Sequence, residues 1–326
     1  MRRLLLTRLL WAGPVLLAIL LTNFLLTRLV PGDPLTAIIG EYPVTPEYRA
    51  QIIHSLQLDS PLGAQLYSYL LAVLHGDLGY SFVNQQPVST LILQRTQASL
   101  MLLIPALLMA TSLGLLLARL SMRQRRGAFR MLLTATTLFG YSVPVFWLGQ
   151  MLIVAFAVNL HWLPAQGMQT LRGVHGTFGP FLDFVLHWLM PGFTVAVFHV
   201  AVIARVAQAS LRDAAKQDFV TTARAKGLSE RTTFWRHVLP NAMLPVITIM
   251  GYHFGAALTG TIMVESVFAW PGLGSLLLNS ITNRDYPVVQ GVFLLSASVV
   301  VLANVLTDLI YGLVDPRIRS GYAAGR

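Results

Sequence analysis

Six long apolar runs, near residues 9–30, 99–117, 132–158, 187–207, 242–264 and 288–309, alternate with polar stretches along the chain. Each is close to or above the ~20 apolar residues that carry a helix across ~30 Å of hydrocarbon. The pattern predicts an all-α, polytopic membrane protein with about six transmembrane helices. The first run begins like a secretory leader, after Arg2, Arg3 and Arg8. No small-x-small cleavage site follows it, and it exceeds the roughly 7–15 apolar residues of a leader core, so it reads as a retained span. The third run is interrupted at 140–147, where Pro144 frees backbone carbonyls that only neighbouring helices or water can satisfy. A kink toward a protein-lined interior is expected there, with Ser142 and Pro144 at the bend; a kink that merely packs is the plainer alternative.

The longest punctuated polar stretch is 210–240, SLRDAAKQDFVTTARAKGLSERTTFWRHVLP. Asp218 has the chemistry of an N-cap, Arg224 and Lys226 put positive charge on the last turn, and Gly227 suits the left-handed position beyond it. A short, complete helix is expected from these signals. A second start lies at Ser229 with Glu230 in its first turn, and that helix is expected to weaken at Leu239, before Pro240. Between the first and second runs, Thr45-Pro46-Glu47 opens one helix and Ser60-Pro61 another, which should stop at His75-Gly76. A loop at 161–184 carries His161 and His175; without carboxylate or thiolate spacing nearby they are weak evidence for a metal site, and surface histidines are the plainer reading.

Composition agrees with the pattern: 55% of the 326 residues are apolar and 11% charged. There is no cysteine, which excludes disulfides, thiolate metal sites and a cysteine nucleophile. The net charge of +10 would suit nucleic acid or anionic lipid, so the placement of the basic residues decides. With the N-terminus inside, Arg2, Arg3, Arg8, the arginines of 119–130, the basic residues of 205–236, and Arg317, Arg319 and Arg326 share one side. Only Arg28, Arg49, Arg95, Arg172 and Arg284 fall on the other. This asymmetry predicts both termini and the 210–240 loop in the cytoplasm, and it accounts for the charge without nucleic acid. His199 and His253 lie deep in the fourth and fifth runs, where an imidazole either lines a pathway or bonds to a neighbouring helix. Both readings are open. Glu265, just after the fifth run, could cap, pair with an arginine or line an outer gate. No phosphate-cradling GxxxxGK[ST] loop, catalytic triad, carboxylate pair or metal-protease motif is present, so no catalytic residue and no metal ligand is assigned.

Several of these segments carry the wording of one family. Thr221-Thr222-Ala223, Gly227 and Leu239-Pro240 have the spacing of the EAA loop of permease subunits of bacterial ABC importers, with Thr221 in place of the name-giving Glu and His237 in place of an aliphatic residue. TARAKGLS resembles the peptide/nickel branch. So do PGDP at 31–34, LQLDSP at 56–61 with Gln57 for the usual Gly, and GDLG with Ser81 and Pro87-Val88. GYSVPVFWLG, the E-x-x-F-x-x-PGLG-x-L segment from Glu265, and Asp285-Tyr286-Pro287 complete the match. The resemblance runs from PGDP to DYP, nearly the whole chain.

That resemblance implies a type I ABC importer permease bundle in the bacterial inner membrane with a small helical periplasmic cap. It implies an N-terminal tail and first span at 1–30, a periplasmic segment at 31–98, a five-helix core at 99–312 and a tail at 313–326. Asp218, Thr221, Thr222, Ala223, Lys226, Gly227, Leu239 and Pro240 would belong to the coupling loop; Ser142, Pro144, His199, His253 and Glu265 are the pathway candidates. Expected partners are a second, homologous permease forming a heterodimer, two ATPase subunits that carry the ATP and Mg, a periplasmic binding protein, and membrane lipid. The chain itself is expected to hold no cofactor. Di- or oligopeptide cargo is the leading expectation, with nickel, a metal chelate or a glutathione-like compound as alternatives. A self-contained channel or proton-coupled carrier is the rival class; Asp308 alone in the last span is poor material for a proton relay.

Overall fold

The computed structural model describes residues 2–29, 45–47, 60–81, 83–123, 127–170, 176 and 178–314. The PGDP turn, most of the first outer helix, His175 and the C-terminal tail lie outside these residues. Among them the fold is helical apart from one two-residue antiparallel pairing, β1 (Tyr80–Ser81) with β2 (Gln86–Pro87). The helices in chain order are α1 (Arg2–Leu29), α2 (Leu62–Leu74), α3 (Val88–Arg123), α4 (Gly127–Ser142), α5 (Val145–Leu152), α6 (Gly179–Ala215), α7 (Asp218–Ala225), α8 (Glu230–Thr233), α9 (Leu239–Gly260), α10 (Ile262–Val267), α11 (Leu273–Thr282) and α12 (Tyr286–Val314).

The six apolar runs coincide with α1, α3, the pair α4 and α5, α6, α9 and α12. Among the described residues, three stretches are single helices long and apolar enough to cross a membrane: Val88–Met122, Gly179–Ala215 and Tyr286–Thr307. The third run forms a fourth only as a broken pair, Ala135–Ser142 with Val145–Asn159, bent by 97°. The expected kink is thus a sharp turn. Pro144 takes φ −60 and ψ 126 there, the extended conformation that starts a new helix. Beyond α5 the chain widens into a π-helical stretch, Ile153–Asn159, which the sequence pattern does not announce.

The chain divides into two units. One comprises 100–270 and 302–326, the other 2–99 and 271–301. In the first, α6 packs against both α4 and α9. Its core is built from small side chains, with Ala110, Ala118, Ala196 and Ala207 around Ile203 and Leu211, which lets helix backbones approach closely. Gly251 belongs to the same logic: a Cβ there would collide with Thr307.

In the second unit, segments far apart in sequence are joined by buried polar groups. Ser81 Oγ, wholly buried, donates to Asp285 Oδ2 at 2.5 Å, and Asn84 Nδ2 donates to Ser81 Oγ at 3.0 Å. Val88 N–H donates to Gly79 O, and a Cβ on Gly79 would rest 3.6 Å from Pro287. The GDLG, PV and DYP segments therefore form one joint. The backbone N–H of Leu273, at the start of α11, is capped by buried Ser99 Oγ at 2.8 Å, which ties the PGLG turn to α3. The second outer helix ends as expected, with α2 stopping at His75 and Gly76 at φ +80. It also starts where Ser60-Pro61 announces it, with Pro61 as the N-cap residue.

Candidate functional site

Helix α7 is eight residues long, too short to persist in water without help. Its ends and inner face provide that help. Gln217, in extended conformation, is the N-cap residue, so Asp218 is the first helical residue and caps nothing with its side chain. The expectation of an Asp218 N-cap is corrected by one position; the carboxylate still faces the positive end of the helix. At the other end Leu228 N–H donates to Ala223 O at 3.2 Å and Gly227 N–H to Arg224 O at 2.9 Å, with Gly227 at φ +77. This double closure is a Schellman motif, and it needs the left-handed residue that Gly227 supplies. Ser229 then caps α8 by accepting from Thr232 N–H at 3.2 Å. Arg224 reaches across with a two-pronged ion pair to Glu230, at 2.8 and 3.1 Å.

The inner face is Val220 and Ala223, 1% and 4% exposed, and Val220 packs in the cluster that holds Leu211, Ala214, Val238, Ala242 and Val246. Leu239 packs against the same cluster. Ala223 and Leu239 therefore face this chain's own bundle, while Asp218, Thr221, Thr222, Lys226, Gly227 and Pro240 are exposed. A Cβ on Gly227 would meet open space. The helix beyond Ser229 does not weaken at Leu239. A π-helical stretch, Phe234–Val238, carries it without interruption into α9. The wider register accommodates Pro240, which has no N–H and would crowd the carbonyl of a tighter turn. Arg119, at the end of α3, lies over the rings of Phe234 and Trp235, at 5.3 and 4.9 Å from their centroids.

A second constellation forms beside the α4–α5 break. Ser142 and Pro144 are exposed at the turn. Tyr141 stacks on Phe198 of α6 at 5.6 Å between centroids, and Phe198 meets His253 of α9 at 6.0 Å. His199 and His253 lie edge to face at 5.1 Å, and Tyr252 adjoins His253 at 5.5 Å. The Nδ1–H of His199 donates to Val195 O at 2.9 Å, so in a neutral ring Nε2 is the acceptor nitrogen. Both histidines and the break thus belong to one patch of rings shared by three helices. Tyr141, Phe198 and Tyr252 escaped sequence reasoning, although each adjoins a residue that was singled out. Glu265 has a different setting: wholly buried in α10, its carboxylate accepts from Thr261 Oγ1 at 3.0 Å and its carbonyl from Trp270 N–H at 2.8 Å. Its backbone thus closes the turn after α10. Among the described residues, no three His, Asp or Glu side chains gather where a metal ion could be held.

Comparison with known proteins matches residues 110–320 to the model of the binding-protein-dependent transport system inner membrane component, and residues 1–103 to that family's N-terminal segment. The dipeptide transport system permease protein DppB of Escherichia coli (strain K12) is 38% identical over 323 residues, covering 94% of this chain and 95% of that protein. The oligopeptide transport system permease protein AppB of Bacillus subtilis (strain 168) is 35% identical over 312 residues, covering 95% and 97%. Among solved structures, the MetNI methionine ABC transporter in inward-facing form shares the fold, with a TM-score of 0.55 at 17% identity over 69% of this chain and 96% of that one.

Proposed function

This chain belongs to the family of inner-membrane components of binding-protein-dependent transport systems and is a permease subunit of an ABC importer, not an enzyme; we propose that its cargo is a di- or oligopeptide and that α7 is its coupling helix. The observation that carries the cargo is the similarity, along nearly the whole chain, to permeases named for dipeptide and oligopeptide transport. The reading also includes a related second permease as the other half of the pathway and two ATPase subunits that bind the ATP and Mg. A periplasmic binding protein delivers peptide, and both chain termini lie in the cytoplasm.

The geometry supports a way for ATPase closure to reach the pathway. A partner grips the exposed side of α7 and its C-terminal turn: Asp218, Thr221, Thr222, Lys226 and Gly227. Val220, with Ala223 buried beside it, binds the opposite face to the ends of α6 and α9, so α7 moves with those helices instead of sliding over them. The Arg224–Glu230 ion pair and the Schellman turn make α7 and α8 a unit. α6 carries Phe198 and His199, and α9 carries Tyr252 and His253. A displacement of α7 would therefore alter the contacts among those rings, where Ser142 and Pro144 break the third span. Interiors packed this closely respond by switching between discrete arrangements, which is what alternating access requires.

Affinity purification of the tagged chain from its host in mild detergent, followed by uptake of a radiolabelled dipeptide into vesicles holding the recovered complex, tests this reading. Co-purification of a second permease and ATPase subunits with ATP-dependent dipeptide uptake is expected. Uptake that persists without any ATPase would overturn the coupling role of α7. An ATP-driven complex that refuses peptides but moves a nickel chelate would overturn the cargo.

A further inference from the structure

Within the unit formed by 2–99 and 271–301 lies a cavity of about 180 Å³. Its polar lining is Asn84, Arg95, Ser275, Asn279, Ser280 and Asn283. At roughly 30 Å³ per water, the space accepts a small functional group with a few atoms behind it. Three features of the lining point to what that group is. Arg95 is half-buried and has no hydrogen bond or ion pair among the described residues. Ser280 is 2% exposed, and its Oγ has no hydrogen-bond partner among the described residues. Asn279 has no side-chain hydrogen bond among the described residues; its carbonyl accepts from the N–H and the Nδ2 of Asn283.

A half-buried guanidinium without a counter-charge and a buried hydroxyl without a partner both cost free energy that a suitable ligand restores. The donors call for an acceptor, and the single cation calls for one negative charge. Asp285, which touches the lining through Asn84, is already engaged by Ser81 and Asn84 and does not line the cavity. Its presence weighs further against a dianion such as phosphate. A planar monoanion also matches the fork of a guanidinium. We propose that this cavity binds a carboxylate group, with Arg95 as counter-charge and Ser280 and Asn279 as hydrogen-bond donors. The carboxylate has two chemical sources: the free C-terminus of a small peptide, or an acidic side chain on a docked protein. The first source rests on the peptide reading above, whereas the site itself does not.

The test uses the full chain in detergent micelles, with trifluoroacetate as the probe and its 19F line width as the signal. Saturable broadening is expected, reversed by acetate and by dialanine but not by acetamide or dialanine amide. Arg95→Gln should weaken binding at least tenfold and Ser280→Ala severalfold, while Arg95→Lys, which keeps the charge, should retain part of it. Dialanine displacing the probe at least tenfold better than acetate assigns the site to a peptide terminus; equal displacement assigns it to a protein side chain. No saturable broadening on the wild-type chain, or equal competition by the amides, overturns the proposal without reference to any variant. Because the signal is binding and not uptake, failed transport of peptides leaves this result legible.

Discussion

Two of the short connections between long helices handle their polar groups in opposite ways. The connection between the end of α6 and the start of α8, residues 216–229, turns its polar side chains outward: Thr221, Thr222, Arg224, Lys226 and Ser229 are exposed, and only Val220 and Ala223 are buried. The stretch from Gly272 to Asp285, around α11, turns polar groups inward, with Ser280 and Asp285 buried and Ser99 and Ser81 closing on it from elsewhere in the sequence. Backbone caps hold the first. Side chains reaching across the sequence hold the second. The first can therefore change its surface without losing its fold, whereas the second cannot change a polar group without leaving another unsatisfied.

The sharpest way to break this contrast is Val220→Asp. A lone carboxylate at a site 1% exposed has no partner there, so α7 should leave its seat, with loss of more than about 3 kcal/mol and of ATP-dependent uptake. Thr221→Asp, one residue along and exposed, should leave the melting temperature within about a degree or two of wild type. A similar collapse in both would show that α7 is not two-faced.

Next in size is Asp285→Ala, which orphans Ser81 and weakens the anchoring of Asn84, and should cost about 2–3 kcal/mol as a lower melting temperature in detergent. Asp285 also gives the joint a pH signature. Burial pushes its carboxyl above the ordinary 3.8, against the opposing pull of hydrogen bonds from Ser81 and Asn84. The folded chain therefore holds this proton more tightly than the unfolded one. The resulting contribution is fully present below the unfolded value and is lost as pH rises through the raised folded value. Thermal melting across that window should show stability falling with pH, and Asp285→Asn should remove that component of the slope.

A smaller effect is expected at Gly227. A side chain there meets open space, so Gly227→Ala should cost only the left-handed backbone strain, about 1 kcal/mol, and Gly227→Val more. If ATPase binding falls much further than stability does, the turn itself is part of the docking surface. The smallest is the Arg224–Glu230 pair. Its partners are 53% and 76% exposed, and a double-mutant cycle should return under about 1 kcal/mol, shrinking further in high salt.

Much of this molecule was legible in one dimension because helices are local objects. The apolar runs set the helices, Pro144 set the break, and Gly227 and Ser229 set the ends of α7 and α8, since each acts on groups within about one turn of itself. The same locality explains what was missed. The N-cap moved from Asp218 to Gln217 because capping depends on which residue adopts the extended conformation, and composition only biases that choice. The π-helical stretches at Ile153–Asn159 and Phe234–Val238 have no compositional mark. That Ala223 faces inward while Thr222 faces outward followed from where α6 and α9 end.

What the sequence by itself determined is the helical, membrane-spanning character, the family and the punctuation of the 210–240 loop, all carried by local periodicity and short motifs. Tertiary structure alone decided which distant residues meet. Ser81 finds Asp285 across 204 positions, Ser99 finds the start of α11 across 174, and the rings of Tyr141, Phe198 and His253 come together from three helices. The reason is physical. A hydrogen bond or ring contact is specific in space but leaves no period in the chain, so only packing reveals its partner.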